Sequence, residues 1–195
     1  MNSLWTIPIC YIIGLFPSAY IAGRLVKRVD IKLIGDHNPG SANVSRNIHR
    51  LAGIAVLIVD LGKGFLAIIL AKHFAPMPIV FICGIAVVAG HDWPIIFKFR
   101  GGRGLATTIG IFYALISLPT LYVTPLGLFM LWKTRHLVVS SLVTLPPLFI
   151  LAWLLHYSLD VILYCLGLVC FAGIMHFITT RNLNTKQKSE SIRWG

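Results

Sequence analysis

Charged side chains are scarce in this sequence. They make up 12% of its 195 residues, while 57% of the residues are hydrophobic. This balance excludes a soluble globular domain. A bilayer core about 30 Å thick needs roughly 20 apolar residues for each crossing helix, so the chain has room for about seven crossings and no separate soluble domain. We therefore expect a single membrane-embedded domain over residues 1–195.

Cysteine is also rare and follows no recognisable pattern. Cys10, Cys83, Cys165 and Cys170 all lie in apolar stretches, and none has the CxxC spacing of a metal or redox site. The glycines do not match a Walker A loop or a dinucleotide fingerprint, so ATP and NAD are not supported. Residues 4–22 lack the flanks of a cleaved signal peptide, and we interpret them as the first span. We expect no metal and no cofactor.

Apolar segments, separated by proline, glycine or charge, dominate what is present. They predict an all-α, polytopic integral membrane bundle of about seven transmembrane helices. Pro119 and Pro125 interrupt the fourth and fifth segments, which are either two short helices or one kinked pair. The segments lie at 4–22, 51–72, 77–97, 104–118, 120–132, 137–157 and 159–178.

Lysine and arginine lie almost entirely in alternate connections between these segments. With the N-terminus outside, all of the 17 basic residues except Lys63 and Lys72 face the cytoplasm, as the positive-inside rule requires. We therefore predict an outside N-terminus and a cytoplasmic C-terminus. The net charge of +11 then follows from topology and from attraction to anionic membrane lipids, and it requires no nucleic acid partner.

The first inside connection carries more polar residues than a connector requires. Glycines there allow backbone N–H groups to converge on an anion. Asparagine and serine can bond phosphate or hydroxyl oxygens, and arginine can hold a phosphate with two parallel donors. A polar turn that serves only topology is the alternative. The candidate residues are Gly35, Asn38, Gly40, Ser41, Asn43 and Arg46.

A second polar segment joins the third and fourth predicted spans. It ends in Gly101-Gly102-Arg103-Gly104, directly before an apolar helix. Free N–H groups and the positive end of a helix dipole at such a turn favour an anion. The further candidates in this segment are His91 and Thr107 as phosphate contacts and Lys98 as a supporting residue.

Two smaller features complete the candidate set. At the inside start of the sixth predicted span, Arg135 precedes Ser140 and Ser141; paired serines there usually cap a helix, and no fixed partner marks either as a nucleophile. Asp60 and Lys63 lie three residues apart on one face of the second span, where ionisable groups are costly. They are either a mutually neutralising pair or a support for the cytoplasmic loops or the substrate.

Taken in order, these motifs resemble the bacterial acyl-phosphate:glycerol-3-phosphate acyltransferases, small integral membrane enzymes of phospholipid biosynthesis. Residues 35–46 are similar to the family's GSGNIGATNVxR, residues 60–64 to DxxKG, and residues 90–107 to GHxxPxFxxFxGGKGxAT. The last motif, following DxxKG in this order, is highly specific. The resemblance extends over nearly the whole chain.

The resemblance implies that a fatty acyl phosphate donates its acyl group to the 1-hydroxyl of glycerol 3-phosphate, giving lysophosphatidic acid and phosphate. The implied site is cytoplasmic, in the bacterial inner membrane, and uses no coenzyme A, metal or covalent intermediate. Positioning two anions and neutralising the leaving phosphate supplies much of the catalysis. The implied catalytic residues are Asn43, Arg46, Arg103, Ser140 and Ser141, supported by Asp60, Lys63, Lys98, Arg135 and Asn182.

Several positions depart from the family pattern. Asp36 and His37 stand where the family has Ser and Gly, Ala42 where it has Thr, and Arg103 where it has Lys. Asp36 adds negative charge beside the proposed phosphate site. It should weaken anion binding unless Arg46 or another cation pairs with it.

The later motifs are also altered. The family's Arg-Tyr-x-Ser-Leu stretch meets Arg135 followed by a serine pair two residues late, and its C-terminal motif is reduced at residues 179–183. A second hypothesis is therefore a paralogue that lacks this reaction, acting in lipid binding or regulation or acylating another phosphorylated acceptor. A small anion transporter is disfavoured, because the polar residues gather at one face and not at the bilayer midplane.

Overall fold

The computed structural model describes residues 3–135, 137–181, 183 and 185–194, apart from the side chains of residues 138 and 190. The predicted all-α fold is confirmed. Short 3₁₀ turns precede α1 and lie in two of the connections. The α-helices are α1 Thr6–Gly14, α2 Ser18–Lys27, α3 Ser41–Asn47, α4 Arg50–Phe74, α5 Met77–Asp92, α6 Leu105–Leu115, α7 Ser117–Thr134, α8 Leu137–Leu154, α9 Leu159–Thr180 and α10 Thr185–Ile192.

Four helical stretches of the described chain are long and apolar enough to cross a bilayer. They correspond to the first, second, third and seventh predicted spans. The apolar helices α6 and α8 are shorter, and the seven-span count and the orientation of the termini stay predictions. The four stretches are Ser3–Lys27, Arg50–Phe74, Met77–Phe97 and Leu159–Thr180.

Large apolar side chains cover the outer faces of these helices. Ile58 is 63% exposed, Leu163 55% and Phe177 67%. Water would disfavour such faces by about 25 cal/mol for each Å² of apolar surface, whereas lipid tails would not. The surface therefore fits a protein whose solvent is largely hydrocarbon.

The first predicted span, 4–22, is two helices and not one. Pro17 lies at the break between α1 and α2 and has no N–H to continue the helical bonding. Lys63 of α4 donates a hydrogen bond from Nζ to the carbonyl oxygen of Phe16 within this break, at 2.9 Å. A residue of the second span thus completes the bonding of the first.

The fourth and fifth predicted segments, 104–118 and 120–132, are two separate helices, α6 and α7. The chain breaks at Ile116, so Pro119 falls in the first turn of α7. Proline is tolerated there because the N–H groups of a first turn have no helical partner. Pro125 lies inside α7 without ending it.

Two glycines bring α4 and α6 into close contact. A Cβ on Gly64 would lie 2.0 Å from the carbonyl oxygen of Thr107, and a Cβ on Gly110 would lie 2.0 Å from that of Leu61. Small residues at such crossings allow membrane helices to approach closely. The crossing places the start of α6 against the part of α4 that carries Lys63.

The main apolar core lies among α1, α4, α5, α6 and α9. Cys10, Cys83 and Cys165 are fully buried within it, whereas Cys170 is exposed. The first three cysteines therefore serve as small packing residues.

Candidate functional site

Asp36 is the centre of a buried ion cluster. Its Oδ2 accepts a hydrogen bond from Arg103 Nη1 at 3.0 Å, and its Oδ1 lies 3.5 Å from Arg46 Nη2. The Asp36 side chain is only 1% exposed. The sequence analysis required a cation to pair with Asp36, and both arginines do so. Together the two arginines and the carboxylate carry one net positive charge.

Arg103 also contacts the C-terminal part of the chain. Its Nε donates to Thr179 Oγ1 at 3.1 Å, and its Nη1 lies 3.5 Å from the carbonyl oxygen of Ser191. Burial lowers the pKa of the guanidinium, while Asp36 opposes that shift; arginine stays protonated in proteins. Nη2 makes no hydrogen bond with the described part of the chain, so this amino group can donate to an anion.

The C-terminal segment lies over the first polar connection. Arg46 Nη1 donates to the carbonyl oxygen of Arg193. His37 Nε2 and Gln187 Nε2 are 2.9 Å apart, and α10 packs against α3. The sequence did not predict this contact, because α10 is short, polar and lies almost 150 residues from its partners.

Asn43 organises the loop that carries the cluster. Its buried Nδ2 donates to the carbonyl oxygens of Ile31, Ile34 and Asn38 at 3.3, 2.9 and 2.9 Å. Its Oδ1 accepts from Asn47 Nδ2 at 2.7 Å. The amide is thus fully engaged within the loop, and a catalytic contact by Asn43 would have to replace one of these bonds.

The other candidates in this loop also shape the backbone. Gly35 has a φ of 62°, and a Cβ there would lie 2.3 Å from Asn43 Oδ1. Gly40 donates its N–H to the carbonyl oxygen of Asn38 at 2.9 Å, and Ser41 opens α3. The glycines here permit the turn, and the N–H of Gly40 is already used by the protein.

The Gly101-Gly102 turn packs directly on His91. Gly101 N–H donates to the carbonyl oxygen of Asp92 and Gly102 N–H to that of His91, both at 3.0 Å. The expectation that these N–H groups are free for an anion is therefore wrong in this structure. Glycine is needed because a Cβ on Gly102 would lie 2.1 Å from His91 Nε2.

The sequence analysis expected an anion at the N-terminal end of α6, and a side chain of the protein already lies close to this end. Gly104 has a φ of 66°, and a Cβ there would lie 3.0 Å from Asp92 Oδ1. The side chains of Asp92 and Thr107 are buried. Within the described residues, neither carboxylate oxygen of Asp92 makes a hydrogen bond, and Thr107 Oγ1 makes none either. The positive end of α6 thus already has a carboxyl group beside it.

Asp60 and Lys63 form the predicted pair and extend it. Asp60 Oδ1 accepts a hydrogen bond from Ser18 Oγ at 2.6 Å and forms an ion pair with Lys63 Nζ at 2.7 Å. Lys63 Nζ also donates to Phe16 O at 2.9 Å and lies 3.3 Å from His91 Nδ1. The geometry supports both sequence interpretations. The charges neutralise each other, and the pair ties α4 to the break between α1 and α2, to the start of α2 and to α5.

A narrow cleft joins these separate segments. One wall is the break between α1 and α2, from Gly14 to Tyr20. Pro39 of the first polar connection and Lys63 of α4 line it, and His91 with the Gly101-Gly102 turn forms the opposite side. Residues from three of the predicted motifs therefore meet at one place.

The serine candidates are not among the residues that line this cleft. Ser140 and Ser141 lie in the first turns of α8, and Ser140 O accepts from Thr144 Oγ1 at 2.5 Å. Within the described residues, the hydrogen bonds of Arg103 go to Asp36, Thr179 and Ser191 and not to either serine. Their catalytic role stays a prediction.

The supporting candidates are spread more widely. Lys98 is exposed and follows a 3₁₀ turn. Arg135 ends α7, and its carbonyl oxygen accepts from Trp194 N at 3.0 Å. Asn182 lies outside the described residues.

Two residues near the site were not among the sequence candidates. Ser18 bonds Asp60, and Thr179 bonds Arg103. The sequence features that could have identified these residues are weak. Ser18 follows the proline of the first span, and Thr179 lies in the reduced C-terminal motif. No group of three His, Cys, Asp or Glu residues in the described chain is close enough to hold a metal ion.

Apolar helices that carry a cationic polar site define the class of the protein, a helical integral membrane protein. The chain matches the family model for glycerol-3-phosphate acyltransferase over residues 4–186. It is 42% identical to glycerol-3-phosphate acyltransferase 4 of Dehalococcoides mccartyi over 172 residues, 88% of this chain and 93% of the relative. A relative from Alkaliphilus metalliredigens is 34% identical over 189 residues, 95% of this chain and 94% of the relative. The chain therefore belongs to the glycerol-3-phosphate acyltransferase family.

Solved structures share the fold. The glycerol 3-phosphate form of PlsY (YgiH), an integral membrane glycerol 3-phosphate acyltransferase, has a TM-score of 0.77 at 24% identity and covers 99% of this chain and 96% of that chain. Its lysophosphatidic acid form has a TM-score of 0.79 at 25% identity and covers 99% and 95%. The similarity thus spans the whole helical bundle.

Proposed function

We propose that the chain transfers a fatty acyl group from an acyl phosphate to the 1-hydroxyl of glycerol 3-phosphate, giving lysophosphatidic acid for phospholipid biosynthesis. Membership of the family supports the acyltransferase activity, and the PlsY forms with glycerol 3-phosphate and lysophosphatidic acid support this acceptor and product. One observation within the chain carries the proposal. Arg46 and Arg103 converge on a single buried anionic group, the carboxylate of Asp36.

This convergence suits a phosphate. A guanidinium has five N–H donors, and a contact to one carboxylate oxygen uses only part of them. A phosphate can join the cluster through Nη2 of Arg103, while the net positive charge of the cluster attracts it. Asp36 then limits the attraction and holds both arginines in place.

The reaction needs little beyond positioning and charge. The 1-hydroxyl oxygen of glycerol 3-phosphate bonds to the carbonyl carbon of the acyl phosphate, and the bond from that carbon to the phosphate oxygen breaks. The phosphate leaves with the electron pair, and the hydroxyl proton passes to it. Arginine stabilises the negative charge that develops on the leaving phosphate. Coenzyme A and a metal take no part in this scheme.

The site belongs on the cytoplasmic side of the bacterial inner membrane in this proposal. The support is the charge partition, because all 17 basic residues except Lys63 and Lys72 lie in the connections predicted to be inside. The donor is itself a lipid, so a site beside the inner leaflet lets its tail stay in hydrocarbon.

The test is turnover by the purified protein in detergent or lipid. We expect release of phosphate and lysophosphatidic acid from palmitoyl phosphate and glycerol 3-phosphate, and no reaction when palmitoyl-CoA replaces the donor. Robust turnover with palmitoyl-CoA alone would refute the donor assignment. No turnover with either donor would favour the paralogue that lacks this reaction.

A further inference from the structure

The buried group formed by Ser18, Asp60, Lys63 and His91 carries an inference about the chemistry of the site. The Lys63 ammonium has three N–H donors and no acceptor. Three polar atoms of the described chain lie close to it. Asp60 Oδ1 is at 2.7 Å in an ion pair, and the hydrogen-bond partners Phe16 O and His91 Nδ1 are at 2.9 and 3.3 Å. Donors and acceptors therefore match one to one if His91 Nδ1 is an acceptor.

The distances decide which group His91 Nδ1 faces. It lies 3.3 Å from the Lys63 ammonium and 3.9 Å from Asp60 Oδ1. A proton on Nδ1 would point at a cation that offers no lone pair, and the carboxylate is too far for a hydrogen bond. A hydrogen bond from the Lys63 ammonium requires an unprotonated Nδ1, which places the proton of a neutral ring on Nε2.

The other edge of the ring faces the candidate site. The position of a Cβ on Gly102 would be 2.1 Å from His91 Nε2, so this atom lies against the turn that precedes Arg103. His91, Gly101 and Gly102 line the same cleft as Tyr20. The His91 side chain therefore lies where the cleft meets the Gly-Gly turn, with Nε2 against Gly102.

We propose that Asp60 and Lys63 are positioning residues that hold His91 in its Nε2–H form, so that His91 donates a hydrogen bond to a substrate oxygen and does not act as a general base. Asp60 orients the ammonium, and the ammonium fixes the tautomer of the ring. The donated bond suits an oxygen that carries negative charge, either a phosphate oxygen or the carbonyl oxygen of the acyl group during transfer. The substrate part of this inference rests on the proposed function.

The tautomer can be measured without turnover. The protein has seven histidines, so ¹⁵N-histidine NMR in lipid nanodiscs, with His91→Gln to assign the signal, reports which ring nitrogen carries a proton. We expect a bare Nδ1 and a protonated Nε2. A proton on Nδ1, alone or in an imidazolium, would overturn the assignment.

A matched pair of lysine variants tests the positioning. Lys63→Met should change the ¹⁵N signals of His91, because the donor to Nδ1 is lost. Lys72 lies on the same helix and donates to Ala114 O at 3.2 Å, so Lys72→Met should leave the His91 signals unchanged. Unchanged His91 signals in a folded Lys63→Met protein would overturn the role of Lys63. If Lys63→Met does not fold, the ¹⁵N spectrum of the wild-type protein, assigned with His91→Gln, still determines the tautomer of His91.

Kinetics separate a donor from a base. The side-chain N–H of glutamine can replace Nε2–H, so His91→Gln should keep kcat/KM within about tenfold of wild type. His91→Leu removes the donor and should lower kcat/KM by about 10². Equal losses in both variants would refute the donor role. A wild-type protein without turnover would instead refute the proposed function, while its NMR spectrum would still report the tautomer.

Discussion

The ion pair between Asp36 and Arg103 yields a quantitative prediction. The charged atoms are 3.0 Å apart, and the side chains are 1% and 9% exposed. Two charges at about 4 Å attract by roughly 4 kcal/mol at an effective dielectric constant of 20. Arg103→Ala would leave the buried carboxylate with Arg46 alone, and removing one partner of a buried pair costs about 3–5 kcal/mol.

A double variant shows whether the cost of Arg103→Ala arises from the loss of the ion pair. Asp36→Ser/Arg103→Ala removes the stranded carboxylate along with the arginine. We expect it to be more stable than the sum of the two single changes predicts, by about 1–3 kcal/mol. In a protein of this size about 1 kcal/mol corresponds to roughly 2–4 °C in Tm, so thermal unfolding in detergent can resolve the coupling.

A partly exposed pair provides the control for this cycle. The charged atoms of Asp30 and Lys32 are 3.8 Å apart, and their side chains are 21% and 22% exposed. Pairs in contact with solvent couple by only about 0.2–1 kcal/mol, so this pair should couple less than the buried one. Additivity within about 0.5 kcal/mol for Asp36 and Arg103 would refute the argument that the carboxylate is compensated by this arginine.

The remaining predictions concern activity and topology. Arg103→Ala should lower kcat/KM with palmitoyl phosphate by about 10² or more, and near-full turnover of the folded variant would refute a phosphate role for this residue. Arg103→Lys should keep appreciable activity, because it preserves the charge, but it should lose the bond that Nε makes to Thr179. A reporter fused at the C-terminus should be active only in its cytoplasm-sensitive form, and an exported reporter would overturn the predicted orientation.

The sequence predicted the features that depend on local composition. Apolar runs predicted the helices, and Asp60 and Lys63 were recognised as a pair because three residues is a helical spacing. The partners of that pair were beyond prediction. Ser18 lies 42 residues from Asp60 and His91 lies 28 residues from Lys63. Only the packing of α2 and α5 on α4 brings them together.

In the polar loops, the sequence predicted which groups need partners but not which residues supply them. The sequence correctly posed the requirement that Asp36 needs a cation, yet Arg103 is 67 residues away and no local pattern names it. The Gly101-Gly102 turn was interpreted as a set of free N–H donors. The backbone instead bonds them to the end of α5, because buried N–H groups are paired wherever a carbonyl is within reach.

The glycines of α4 give a final prediction that separates packing from propensity. Gly62 and Gly64 lie on the same helix, two residues apart. Nothing lies within 4 Å of a Cβ built on Gly62, whereas a Cβ on Gly64 would lie 2.0 Å from the backbone oxygen of Thr107. Alanine is favoured over glycine inside a helix by about 0.5–1 kcal/mol, and this gain is available at both positions.

Only Gly64 has the opposing cost. A backbone oxygen cannot rotate away, so Gly64→Ala must separate α4 from α6, and overpacking of this kind costs about 1–3 kcal/mol. We therefore expect Gly64→Ala to lower the Tm in detergent and Gly62→Ala to leave it unchanged or raise it. Because the α4 and α6 crossing also sets the distance between Lys63 and the turn before α6, Gly64→Ala should lower turnover as well. Equal Tm values for the two variants would contradict the close approach of these helices.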